Sequence, residues 1–196
     1  MSFQWILDNA QDIQINKRGI VASTMARDQT VRAVSRGGII WRFTVTPPTG
    51  LRYNDPGVRG YIETVDNMDR FTPFSATFSH TNLFLYQGTS APSSITVTQG
   101  SNTATISGGS GTKLASGDIL QLTGQPRVYS VYGSVTGTSV TLNRPVLEAS
   151  GTYSLTVGSA CTWTLICTQL PDYKINPGNI ITWDKPFVFV EALPTP

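Results

Sequence analysis

Charge is what this sequence has least of. Asp, Glu, Lys and Arg make up 13% of its 196 residues, about half the usual share for a globular chain. The net charge of +2 falls well short of the basic footprint of a nucleic-acid-binding chain. Histidine and cysteine are almost missing. His80 is the only imidazole, so the two thiols, Cys161 and Cys167, have no histidine beside them to complete a metal site. Their even spacing along one strand would set them roughly 20 Å apart, beyond disulfide reach, and they read as small buried hydrophobes in a reducing compartment. No segment approaches the ~18 apolar residues that span a bilayer. Met1-Ser-Phe-Gln-Trp-Ile has no charged region followed by an apolar run. The expectation is a soluble chain made in the cytoplasm, without membrane insertion.

Catalytic signatures are missing too. There is no GxSxG elbow, no HExxH and no phosphate loop, and Gly108 to Lys113 lacks the spacing and following helix that a phosphate loop needs. His80 stands alone between Ser79 and Thr81. Asp118 and Glu148 are the only acids in the middle of the chain. A glycosidase pair needs about 5 Å, or about 6.5–9.5 Å, between its carboxyls. Asp118 follows Gly117 where a strand begins, and turn chemistry accounts for it. We therefore expect no catalytic residue, no cofactor and no metal site.

Thr, Ser and Gly fill the space that charge leaves, and they come in strand-length alternations. From Ser116 to Val131, SGDILQLTGQPRVYSV, an apolar run of Ile119, Leu120 and Leu122 breaks at Thr123 to Pro126 and resumes at Val128 and Val131, which outlines a β-hairpin. Strands are also expected at 95–98, 103–106, around Val140 and Leu142, and from Tyr153 to Val157. Nearer the N-terminus, Phe3 to Leu7 and Ile13 to Ile15 suggest a strand pair joined through Asp8-Asn9. Thr30 to Val34 and Ile39 to Val45 suggest a hairpin turning at Gly37-Gly38. One helix is expected at about 55–70: Asp55 as N-cap, Pro56 in first position, and Val58, Tyr61, Ile62, Val65 and Met68 on one stripe. Its other face, Arg59, Glu63, Asp66 and Asp69, reads as solvated. Further strands are expected at 74–78, 83–86, 161–168, 180–183 and 187–191.

The fold class expected is mainly β, a β-sandwich-like core with one α-helix plus an inserted small barrel. The division is residues 1–88 and 160–196 for the core and 89–159 for the insert, placed where charge thins at Gln87-Gly88 and texture changes again near Cys161.

A Trp-containing hairpin, a Pro-capped helix, a β-rich insert with SGDILQLTGQPRVYSV and a terminal strand pair ending FVFVEAL together resemble a distal tail protein of long flexible-tailed bacteriophages. The resemblance covers most of the chain from about Thr30 and is sharpest in the AxGDxxxLxxxPxVYxV texture of Ala115 to Val131. It implies an oligonucleotide/oligosaccharide-binding (OB) type barrel on a sandwich core. It also implies a hexameric ring at the tail end that joins the tail tube protein to hub or fibre proteins, with DNA passing through its lumen. The location implied is the virion, after synthesis in the host cytoplasm.

Arg32, Arg36, Trp41 and Arg42 are candidates for the ring interface, as aromatic and Arg anchors; the plainer reading makes Trp41 core and the arginines solvated. Tyr129, Tyr132 and Tyr153 are candidates for stacking on a glycan, or for a fibre contact; the plainer reading is strand packing. The alternative function is a carbohydrate-binding module for host-surface glycan.

Overall fold

The computed structural model describes residues 3–17, 19–25, 31–68, 72–78 and 83–192, with backbone alone for 20–25 and 31–37. A short helix, α1 (Gln4–Asp8), leads to β1 (Asp12–Asn16), β2 (Gly19–Met25), β3 (Val31–Ile39) and β4 (Arg42–Thr46). Next come α2 (Val58–Asp66) and β5 (Phe74–Ala76). The middle of the chain supplies β6 (Ser94–Val97), β7 (Thr103–Ser107), β8 (Ile119–Leu122), β9 (Val128–Ser130), β10 (Ser139–Thr141) and β11 (Gly151–Val157). A 3-10 turn at Gly158–Ala160 precedes β12 (Trp163–Gln169), β13 (Tyr173–Asn176), β14 (Ile180–Trp183) and β15 (Phe187–Glu191). The fold is mainly β, as expected.

Two large sheets divide most of the chain, and β2–β3 and β13–β14 form two further two-stranded sheets. One large sheet has five strands in the order β1-β4-β15-β12-β5 and uses only residues before β6 and after β11. The other has six, in the order β10-β7-β6-β11-β8-β9. Its outer strands meet: Val131 bridges Leu142, Tyr132 N donates to Thr141 O, and Asn143 N donates to Ser130 O. The six-stranded sheet thus curls back on itself as an antiparallel barrel, with one strand more than the five of an OB barrel.

The hairpin β8–β9 is the wall the two sheets share. Leu120, Leu122 and Tyr129 point into the barrel core, while Ile119 and Val128 belong to the core beneath the five-stranded sheet. Both faces are buried, which is why apolar residues fall on both sides of β8 and its one polar residue, Gln121, is held by Gln125 O and Thr162. Arg127 and Gln125 flank its turn, where Gly124 takes a positive φ of 82°.

The five-stranded sheet has one apolar face, with Phe43, Val45, Phe187, Phe189, Trp163 and Leu165 buried. Covering it are α1, the segment carrying Phe78 and Phe84, and the β8–β9 hairpin.

Several local expectations change. Phe3 to Leu7 forms α1 and not a strand, because Phe3, Ile6 and Leu7 fall at helical spacing and all three are buried; Asn9 closes the turn by donating to Trp5 O. Gly37-Gly38 is not a turn. β3 runs straight through both glycines and pairs with β2, and the register slips between Gly19↔Ile39 and Val21↔Ser35, so Gly38 with φ of 79° sits in a bulge. The segment 83–86 forms no strand. Phe84 instead packs on Trp41 and Trp163, and Tyr86 donates its hydroxyl to Lys113 O. The helix α2 begins after Gly57, which takes φ of 84° as its N-cap in place of Asp55. Its Val58 and Ile62 are buried against Ile181 on β14 and its Val65 joins the core beneath the five-stranded sheet, whereas Tyr61 stacks on Trp5 with ring centres 4.6 Å apart. The expected helix end at Asp69-Arg70 lies outside the described residues.

Candidate functional surfaces

β1 pairs with β4, and β2 pairs with β3, in one register: Asn16↔Arg42 continues as Gly19↔Ile39. The two pairs therefore form a single antiparallel ribbon, rooted at the edge of the five-stranded sheet. Beyond the root, β2 and β3 make a two-stranded sheet that pairs with no other strand among the described residues. At about 3.3 Å per residue β2 alone reaches roughly 20 Å. Arg32 and Arg36 lie on β3, where only backbone is described. Arg42 lies at the root on β4 and is exposed beside Gln14, Asn16 and Thr44.

Trp41 is corrected to core. It is 1% exposed, donates Nε1–H to Val128 O at 3.0 Å, and meets Phe84 and Trp163 edge-on. No face is left for a partner. Lys17 lies over its ring, 5.3 Å from the centroid, and donates to Ser130 Oγ at 3.1 Å; burial pulls the Lys17 amine below its ordinary pKa.

Around Trp41 the barrel is fastened to the sheet by a buried ion pair that sequence reasoning missed. Arg144 donates to both Glu191 oxygens, Nη1 to Oε2 at 2.7 Å and Nη2 to Oε1 at 2.6 Å. The same nitrogens donate to Ile39 O and Val128 O, each at 2.8 Å. Trp41 N adds a longer bond to Glu191 Oε2 at 3.3 Å. Arg144 is 5% exposed and Glu191 4%. Bidentate geometry with nearby carbonyls is what lets such a pair tolerate loss of water. In sequence, Arg144 sits in an Asn-Arg-Pro turn and its partner is far along the chain, so no local pattern marks it.

Tyr129 is likewise corrected. It is fully buried under the Arg144 guanidinium, 5.1 Å from its ring centre, and donates its hydroxyl to Glu148 Oε2. Burial first, then the Glu148 carboxylate, push its phenol well above the usual tyrosine range. Arg127 holds the other Glu148 oxygen at 3.5 Å. Tyr153 packs against the barrel core and donates its hydroxyl to Ala149 O. Only Tyr132 of the three tyrosines stands in solvent, at 80% exposure.

The acids of the barrel serve its own structure. Asp118 accepts Gln87 N–H at 3.0 Å and Ala115 N–H at 2.8 Å, the turn role read from the sequence. Glu148 is committed to Tyr129 and Arg127. Among the described residues no three His, Cys, Asp or Glu side chains gather as metal ligands; His80 lies outside them. Cys161 and Cys167 are both buried. Burial pushes the Cys161 thiol up to about 12. An apolar groove of about 300 Å³ runs between Pro47-Pro48 and the β14 residues Ile181 and Trp183. No known protein family matches this chain, and no curated protein is detectably related to it.

Proposed function

We propose that the chain is a structural subunit of a bacteriophage tail tip, closing head to tail into a ring of six between the tail tube and the hub or fibre proteins. The observation that supports this reading best is the β2–β3 ribbon. A two-stranded ribbon is marginal alone in water, and both outer edges of this one offer N–H and C=O groups with no partner strand among the described residues. In a cyclic assembly each ribbon lies on the next subunit, and the contact repeats until the ring closes. Arg32 and Arg36 on the ribbon and Arg42 at its root would contribute to that contact.

In this reading residues 1–88 and 160–196 build the ring and 89–159 project from it. The role is structural and not catalytic, no cofactor takes part, and DNA crosses the lumen without base contacts. A carbohydrate-binding module working as a monomer is the second reading, and the exposure of Tyr132 favours it.

Native mass at several concentrations, with negative-stain images of the same samples, tests the ring. The comparison partner is a variant in which residues 18–40 are replaced by a short Gly-Ser link, which the paired ends Asn16 and Arg42 allow. Rings of six from the full chain and monomers from the variant are expected. A full chain that stays monomeric throughout, or rings that persist without the ribbon, would overturn the proposal.

A further inference from the structure

The outer face of the barrel carries hydroxyls in register. Ser139 lies opposite Thr105, Thr105 opposite Thr96, and Thr96 opposite Thr152, so one row of four hydroxyl side chains crosses β10, β7, β6 and β11. Thr96 and Thr152 are joined Oγ1 to Oγ1 at 2.8 Å. A second row, two residues along, sets Ser107 opposite Ser94 and Ser94 opposite Ser154. On the other side Thr141 lies opposite Thr103, and Tyr132 N donates to Thr141 O, which brings the exposed Tyr132 to the end of that row. The residues between these positions, Ile95, Val97, Ala104, Ile106 and Val140, are buried, so the hydroxyls point outward. Neighbouring strands put hydroxyls about 4.8 Å apart across the rows and roughly 7 Å apart along a strand. A shallow depression of about 250 Å³ lies over Thr96, Thr98, Thr103, Thr105 and Ser139.

This surface is also neutral. Residues 89–159 contain five charged side chains, Lys113, Asp118, Arg127, Arg144 and Glu148. The last four are buried. Lys113 is half-buried, and its carbonyl is capped by Tyr86.

We infer that this face binds a neutral, hydroxyl-rich saccharide chain, with Tyr132 stacking on a sugar ring and the Thr and Ser rows exchanging hydrogen bonds with sugar hydroxyls. Each side-chain hydroxyl both donates and accepts, which matches a ligand whose groups do the same. The Thr methyls and the Tyr132 ring supply apolar contact for the sugar C–H faces. A phosphate or carboxylate polymer would find no cation here to offset its desolvation. A protein partner would prefer a face with an apolar centre, and serine is depleted in such interfaces. The inference rests on the carbohydrate-binding reading and does not depend on ring formation.

Affinity electrophoresis of the full chain in native gels containing dextran, mannan or galactomannan, with alginate as the anionic comparison, tests it. Retardation by at least one neutral polysaccharide and none by alginate is expected. Tyr132→Ala should weaken the retained affinity about tenfold, the loss of one stacked ring. The double variant Thr103→Val, Thr105→Val should weaken it as well, with thermal melting unchanged in both. No retardation by any neutral polysaccharide, retardation only by alginate, or variants that bind like the parent would each overturn the inference. Native mass measured on the same samples keeps the ring question separate. A Tyr132→Ala change in mass with unchanged retention would assign the face to a contact between copies and end the saccharide proposal.

Discussion

The two sheets are filled and clad in opposite ways. Beneath the five-stranded sheet the buried residues include eight rings: Phe3, Trp41, Phe43, Phe74, Phe78, Trp163, Phe187 and Phe189. Inside the barrel they are small aliphatics such as Ile95, Val97, Ile106 and Val140, with Tyr129 the one fully buried ring. The difference follows from what faces each sheet. A short helix and an irregular segment cover the first, leaving a wide, uneven gap that only large side chains fill. The barrel's walls face each other closely, and branched aliphatics suffice. Trp163 tests this hardest, because it touches Trp41, Phe43, Phe78 and Phe84 with ring centres 4.9 to 5.9 Å away. Among the described residues its Nε1 has no hydrogen-bond partner, so packing holds the indole in place. Trp163→Ala should cost about 3–5 kcal/mol in denaturant unfolding, the largest single loss expected. A loss under about 1.5 kcal/mol would mean the gap collapses easily and the contrast with the barrel is false.

The seam decides whether the two regions unfold together. Arg144→Met leaves the Glu191 carboxylate buried with the long bond from Trp41 N as its remaining hydrogen bond among the described residues, at a cost of roughly 3 kcal/mol. Because Arg144 comes from the barrel segment and Glu191 from β15, the variant should also split one calorimetric transition into two. Arg144→Met with Glu191→Leu should recover most of the loss, since a well-packed apolar pair replaces the ionic one. A single transition of unchanged cooperativity in Arg144→Met would show that the β8–β9 wall suffices to couple the sheets.

Alkaline pH separates the regions by a smaller effect. The Cys161 thiol sits in the aromatic core, and burial lifts it from its ordinary 9.0 to about 12. Between those values the unfolded chain has released its proton while the folded chain keeps it. The contribution is therefore whole below pH 9 and falls as pH climbs toward 12. By pH 10 the loss is about 1 kcal/mol. Stability of Cys161→Ala, read from denaturant midpoints, should stay level to nearer pH 10; an unchanged onset at pH 9 would assign the decline to another group.

Reading the sequence worked where one period dominated. The Ser116 to Val131 hairpin, the α2 stripe and the Thr-rich strands each satisfy one pattern over enough residues to exclude the others. It failed where two patterns overlap or the deciding contact is distant. Phe3, Ile6 and Leu7 fit a helical face, but the same stretch is short enough to pass for a strand. Gly37-Gly38 carries a turn signature, yet a bulge uses the same positive φ, and only the pairing partner tells them apart. Tyr173 to Asn176 has too few apolar residues to announce β13. Trp41 and Tyr129 are misplaced, and Arg144 is passed over, because the deciding contacts are distant in sequence: Val128 and Glu191 hold Trp41 and Arg144, and Glu148 and Arg144 hold Tyr129, where no local pattern reaches. Tyr132, read by the same residue type as Tyr129 and Tyr153, differs from them in being exposed, which the sequence does not distinguish.

The smallest effect sharpens the contrast most, because it compares neighbours on one strand. Thr105 and Ile106 are adjacent on β7 and point to opposite sides of the barrel wall, the first exposed and the second 1% exposed. Ile106→Ala removes side-chain atoms from a filled interior and should cost about 2–4 kcal/mol. Thr105→Ala removes a solvated hydroxyl and methyl from a row whose strands are already paired, so the change should stay within about 0.5 kcal/mol. Thr has higher strand propensity than Ala, and any residual loss should be of that order. If Thr105→Ala instead cost more than about 1 kcal/mol, the hydroxyl rows would be bracing the barrel from outside. Equality between the two single variants would contradict an interior held by aliphatic packing. A near-zero Thr105→Ala leaves the rows dispensable to the fold, so their register is free to be maintained by what the face contacts.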